Sequence, residues 1–331
     1  MDKTFLMAIL CILLIGCKQT SNKNIEAQVQ NKTNEEQLVE EKLVISGSYV
    51  DDSYSNRAEG YDWVGVKVKQ NKDNSISVSV RSRADLKKPT CTYDTKAFKI
   101  NQTSYETSYN GKNIIFEFSL DNLVISTKNP DDSNLLFFFC NGGATLGGSY
   151  KKTENGLDPK QIDKTSFTKS LNLQDIGFNV SSIIKEDKNT LTVYAYGLES
   201  KNYDESFSIE GEKVIDVEVE DLNSDGSPEL FVYTQSAGSG SYGKVYAFSV
   251  NNKKSMSPVY FQPTAENSKI NKGYMGHDEF SLIENRLGQR FPIYKEGDSN
   301  ANPTGGTRQV YYKLTEGEAM RKLEVDKIDE Y

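Results

Sequence analysis

The sequence predicts an all-β fold, with two antiparallel β-barrel or sandwich domains following a signal peptide and an unstructured tether. Three observations carry this reading. From residue 45 onward, apolar and polar residues alternate with period two. Turn residues recur between the apolar runs at a spacing of roughly 8–12 residues. No helical stripe long enough for a βαβ crossover interrupts them. The chain has 331 residues, and single cores rarely grow past ~250, so two domains are expected rather than one.

The elements follow in order. Asp2 and Lys3 precede an apolar run from Phe5 to Ile15, too short to span a bilayer but matched to the core of an export signal. The run closes on Leu14-Ile15-Gly16-Cys17, which resembles a bacterial lipobox. Residues 1–16 are therefore expected to be removed and Cys17 to be acylated, with acyl chains anchoring the protein to a membrane. Lys18, where an aspartate would signal inner-membrane retention, points to the outer membrane facing the periplasm, with surface exposure as the alternative. Residues 17–44 are rich in Asn, Gln, Glu and Lys. They bury too little apolar surface to offset their ordering entropy, and so read as a lipid-anchored flexible tether.

Residues 45–152 form the expected N-terminal β domain. Val64, Val66 and Val68 alternate with Trp63, Gly65 and Lys67, and Ser75 to Val80 repeats the pattern. Ile114 to Phe118 is a further strand, and Asn110-Gly111 is a hairpin turn signal. Leu135 to Cys140 is a continuous apolar run, read as a strand buried on both faces. With Cys11 in the signal and Cys17 acylated, Cys91 and Cys140 remain as an even pair in an oxidising compartment, which reads as a disulfide.

Thr153 to about Lys169, with Asp158-Pro159, reads as a polar connection, and the C-terminal β domain is placed at 170–331. Its strands are expected at 190–196, 206–209, 214–220, 229–233, 244–250, 280–284, 290–294, 309–314 and 322–325.

Composition excludes several functions. Asp plus Glu total 47 against 39 Lys plus Arg, a net charge of −8 that disfavours a nucleic-acid partner. One histidine in the chain removes most histidine-based catalysis. Gly238-Ser239-Gly240-Ser241-Tyr242-Gly243 matches G-x-G-x-x-G, but a β-branched and aromatic strand follows where a dinucleotide site needs a helix. The esterase elbow G-x-S-x-G is absent as well. No catalytic constellation appears, and the protein is not expected to be an enzyme.

Two loops stand out. Ser236 to Ser241, rich in glycine and small residues, joins two strong strands and carries Tyr242 near its tip, a composition suited to a protruding contact loop. Asp221, Asn223, Asp225 and Glu229 occupy positions one, three, five and nine of a Ca²⁺-loop pattern with Gly226 at six, but Val232 stands where the bidentate glutamate belongs. The same residues favour an ordinary turn, so calcium is one of two readings. His277, beside Asp278 and Glu279, reads as a surface turn rather than a metal site. Arg81, Arg83, Lys87 and Lys88 read as a small solvated basic patch.

Several segments in series resemble the periplasmic inhibitors of I-type (invertebrate-type) lysozyme, the PliI-like proteins. They are Asp221 to Gly226, Ser236 to Gly243, Gly273 to Phe280, Phe291 to Tyr294 and Pro303 to Gln309. The resemblance spans about residues 205–315. It implies an all-β inhibitor whose Ser-Gly-x-Tyr loop enters the lysozyme cleft, a role that would fall here to Ser239, Gly240 and Tyr242. I-type lysozyme is then the implied partner, with no cofactor required. The alternative is a non-inhibitory, calcium-dependent surface module that binds glycan or protein.

Overall fold

The computed structural model describes residues 43–185 and 188–331. The signal segment, Cys17 and its acylation, and the tether up to residue 42 lie outside the described residues. Alternation builds the first half: β1 (Gly47–Val50), β2 (Val64–Gln70), β3 (Ile76–Ser82), β4 (Thr92–Lys99), β5 (Ser104–Tyr109), β6 (Lys112–Phe118), β7 (Asn122–Thr127) and β8 (Gly148–Thr153). Each pairs antiparallel with the next, and β1 pairs with β8, so the eight strands close into an up-and-down barrel. Val66, Val68, Ile76, Val78 and Val80 point into its filled interior with Tyr49, Tyr105 and Phe116. Asn110 and Gly111 have positive φ (49° and 72°) and turn β5 into β6. Gly65 is required by packing, since a Cβ there would stand 2.5 Å from the Leu157 side chain. Cys91 and Cys140 form the disulfide.

One expected strand is a helix. Leu135 to Phe138 forms a short α1, not a strand buried on both faces. The cause is upstream: the Asn129 side chain accepts the Asp131 N–H and Pro130 starts a 3₁₀ turn, which feeds the helix. Leu135, Leu136 and Phe139 face the barrel core while Phe137 and Phe138 stay about half exposed, a helical rather than a strand division.

The strands resume earlier than expected. β9 (Thr165–Leu173), β10 (Ile176–Lys185), β11 (Lys188–Tyr196) and β12 (Tyr203–Ser208) form a four-stranded sheet in the order β12-β11-β10-β9. Residues 165–169, expected in a connection, therefore belong to a strand, and the link itself is residues 154–164. It is pinned to the barrel: Trp63 donates to Gln161 Oε1 at 2.9 Å, and Thr92 Oγ1 donates to Asp163 at 2.8 Å.

The basic patch also divides. Arg81 and Arg83 are 5% exposed rather than solvated. Arg81 donates to Asp94 at 2.7 Å and to the Thr165 carbonyl at 2.8 Å; Arg83 donates to Asp85 and to the carbonyls of Arg57 and Tyr61. A buried guanidinium needs this many acceptors to offset its desolvation. Lys87 and Lys88 remain exposed.

The remaining strands are β13 (Glu212–Glu220), β14 (Glu229–Ser236), β15 (Gly243–Asn251), β16 (Ser255–Phe261), β17 (Glu279–Ile283), β18 (Arg286–Pro292), β19 (Thr307–Thr315) and β20 (Lys322–Glu330). They form one sheet in the order β13-β14-β15-β16-β20-β19-β18-β17, antiparallel except where β16 meets β20. The sheet curls into a nearly closed second barrel. At the gap, the Glu218 carboxylate of β13 accepts the Leu282 N–H of β17 and the Tyr233 hydroxyl, both at 2.8 Å. One face of β14 puts Phe231 and Tyr233 into this barrel; the other packs Leu230 and Val232 against Phe178, Val180 and Val193 of the four-stranded sheet. This is the strand buried on both faces, and its continuous run Leu230-Phe231-Val232-Tyr233 follows from that position.

Candidate functional site

The β14–β15 connection projects as a finger. Its base is closed by the Ser236 N–H donating to the Tyr242 carbonyl at 2.8 Å and the Tyr242 N–H donating to Ser236 Oγ at 2.9 Å. The Ser241 N–H donates to the Gly238 carbonyl at 3.0 Å, and Ser241 itself takes φ 45°, so the tip is a tight turn. A Cβ on Gly240 would meet the Tyr242 ring at 2.5 Å, so a larger residue there would turn that ring aside.

Two other loops brace the finger. Gly276 has φ 90°, and the next residue, His277, has φ 60°; together they turn the His277 N–H onto the Gly240 carbonyl at 2.8 Å. Asn300 Nδ2 donates to the Ser239 carbonyl at 2.9 Å, while Asn300 Oδ1 lies 3.0 Å from His277 Nε2. The Asn300 carbonyl accepts the Tyr294 hydroxyl at 3.0 Å. The only histidine is therefore part of a loop-to-loop brace.

Beneath it, a buried polar chain fixes the root. Asp278 Oδ2 accepts the Gly243 N–H at 2.8 Å and the Tyr274 hydroxyl at 2.6 Å; Asp278 Oδ1 accepts Gln289 Nε2 at 2.5 Å. Tyr312 then donates to Gln289 Oε1 at 2.5 Å. Burial pushes the Asp278 carboxyl above its ordinary range, opposed by these donors, and burial beside Asp278 pushes the Tyr274 hydroxyl up strongly.

The result is a stiff element with an open tip. Tyr242 is 47% exposed, with its ring edge-on to Tyr274 at 5.7 Å; Ser239 is exposed and Gly240 half-buried. Ser239, Gly240 and Tyr242 thus come together on one projection. Sequence reasoning did not find the roles of Tyr274, Asp278 and Asn300 in supporting it. The first two lie in the Gly273 to Phe280 segment, and Asn300 opens a loop that composition alone marks only as long.

The calcium-like turn is built differently. Asp221 accepts the N–H groups of Asp225 and Gly226 at 3.0 and 2.9 Å, and the Gln174 side chain at 2.8 Å. Asp225 accepts the Ser227 N–H, Asn223 Nδ2 and Arg321 Nη2 at 2.8–2.9 Å. Glu229 is fully buried and accepts the Leu222 N–H at 3.0 Å and the Ser249 hydroxyl at 2.7 Å, with Arg321 Nη1 at 3.4 Å. Burial pushes the Glu229 carboxyl up to about 7, further than Ser249 and the Leu222 N–H pull it down. Asp225 moves the other way: burial raises it, but Asn223, Arg321 and the Ser227 N–H together hold it below its ordinary value. A guanidinium already stands among the carboxylates, and among the described residues no cluster of acidic, His or Cys side chains is arranged to hold a metal.

Residues 189–270 match the model of a family described as periplasmic lysozyme inhibitor of I-type lysozyme. In that region the chain is similar to the family. The match runs from β11 through the finger and stops short of the brace at Gly273 to Phe280. No curated protein matches the chain.

Proposed function

We propose that this is a lipid-anchored inhibitor of I-type lysozyme, tethered through Cys17 to the outer membrane, which inserts the finger carrying Ser239, Gly240 and Tyr242 into the enzyme's cleft. The observation that carries the reading is the braced, half-exposed tip within the region similar to the inhibitor family. A lysozyme cleft presents two carboxyls, one protonated and one ionised. A serine hydroxyl both donates and accepts, so Ser239 can satisfy either species, and the Tyr242 hydroxyl reaches a second partner. Tyr242 supplies contact area at low entropic cost, and the brace spares the finger an ordering cost on binding. A net charge of −8 steers the protein toward a basic enzyme. The finger offers the enzyme no glycosidic bond, so it occupies the cleft without being cleaved.

The test is inhibition of I-type, chicken-type and goose-type lysozymes by the protein, by Ser239→Ala and by Tyr242→Ala. Selective inhibition of the I-type enzyme, weakened in both variants, is the expected result. Undiminished inhibition by both variants would remove the finger from the mechanism. Metabolic labelling with a fatty acid, lost in Cys17→Ala, tests the anchor.

A further inference from the structure

A second site lies away from the finger, in a cleft of about 740 Å³ between the first barrel and the four-stranded sheet. Its walls are β3, β4 and β5 on one side and β9 on the other, with Asp216 of β13 at one end. The volume falls in the range of small-ligand sites. Its charges cancel locally: Asp94 pairs with Arg81, Lys96 with Asp73 and Lys169 with Asp216, each at 2.7 Å. A charged ligand would have to break one of these pairs. The rest of the lining is mixed, with hydroxyl and amide groups of Ser79, Ser108, Asn110 and Asn172 beside apolar surface from Phe167, Leu171 and Ile215.

β9 is the end strand of its sheet, and its outer edge is partly taken up by the barrel: the Thr168 N–H donates to Asp94 at 3.0 Å and the Thr165 carbonyl accepts from Arg81. The ligand that answers this surface is uncharged and carries many groups that both donate and accept.

We propose that the cleft binds a neutral oligosaccharide, with sugar hydroxyls bonding the Ser79 and Asn172 side chains. This site is independent of the finger and of the lysozyme reading.

The experiment is saturation-transfer NMR and calorimetry on the full chain in detergent, with chitotetraose, maltotetraose and tetraalanine as probes. At least one of the two sugars is expected to bind at millimolar concentration or below. Ser79→Trp, which fills the cleft from β3, and Asn172→Ala, at its exposed rim, should each weaken that sugar about tenfold. Tyr242→Ala should leave it unchanged. Failure of both sugars to bind, sugar binding indifferent to both cleft variants, or binding of tetraalanine alone would each overturn the proposal, the last by making the cleft a slot for an extended peptide. Loss of lysozyme inhibition with sugar binding intact would count only against the finger.

Discussion

Gly276 and Gly240 face each other so closely that a Cβ on Gly276 would stand 2.1 Å from the Gly240 carbonyl oxygen. That same oxygen accepts the His277 N–H. Gly276→Ala must therefore either push the finger away or abandon a φ of 90° that L side chains rarely adopt. Strain of this kind costs about 1–3 kcal/mol. The expected outcome is an inhibition constant raised at least tenfold with the barrel still folded, read by lysozyme assay alongside circular dichroism.

Asn300→Ala separates bracing from contact. It removes the bond to the Ser239 carbonyl and the partner of His277 Nε2, an effect of about 1 kcal/mol or a roughly fivefold loss of affinity. The loss should fall on the dissociation rate measured by surface plasmon resonance. Tyr242→Ala, which strips an exposed aromatic anchor, should cost more, about 2 kcal/mol or above.

Glu229 makes stability depend on pH. Its carboxyl is held near 7 when folded, against about 4.5 ordinarily, so the fold binds this proton more tightly than the unfolded chain does. The resulting stabilisation is full below about pH 4.5, falls as pH rises through 7 and is absent above. Glu229→Gln should flatten that segment of the curve of melting temperature against pH, since an amide can still accept from Leu222 and donate to Ser249.

Arg321 takes the place a cation would need beside Asp225 and Glu229. Millimolar Ca²⁺ is therefore expected to leave the melting temperature unchanged, measured against an EDTA control. Arg321→Ala should destabilise by about 3 kcal/mol at most, since its guanidinium is partly solvated.

Reduction of Cys91–Cys140 reopens a chain segment whose ends are 49 residues apart. The loss should be roughly 4 kcal/mol by loop entropy, seen as a lower denaturant midpoint in dithiothreitol.

Local signals were legible where one face is buried and the other is wet. The valines of β2 and β3 and the Asn110-Gly111 turn are such cases. So is the place of the finger, because a run of glycine and small residues between two strong strands marks a turn. Continuous apolar runs are ambiguous: Leu135 to Phe139 and Leu230 to Tyr233 look alike, yet an upstream Pro130 turn makes one a helix while two packed layers make the other a central strand. β9 was hidden because Thr165 to Leu173 alternates polar residues with only Phe167, Leu171 and Leu173, being sandwiched between sheet and cleft. The burial of Arg81 and Arg83 and the brace from Asn300 rest on partners far away in sequence, which no local pattern carries.

The position of β20 between β16 and β19 has a consequence for biogenesis. Two partial sheets, β13 to β16 and β17 to β19, can form as the chain emerges, but no strand ladder joins them until the strand from Lys322 to Glu330 is delivered. That strand acts as a keystone, and such distant pairing slows folding. The second barrel can thus close only after Glu330 is in place, and a stop codon near Arg321 would leave two half-sheets without the strand they share.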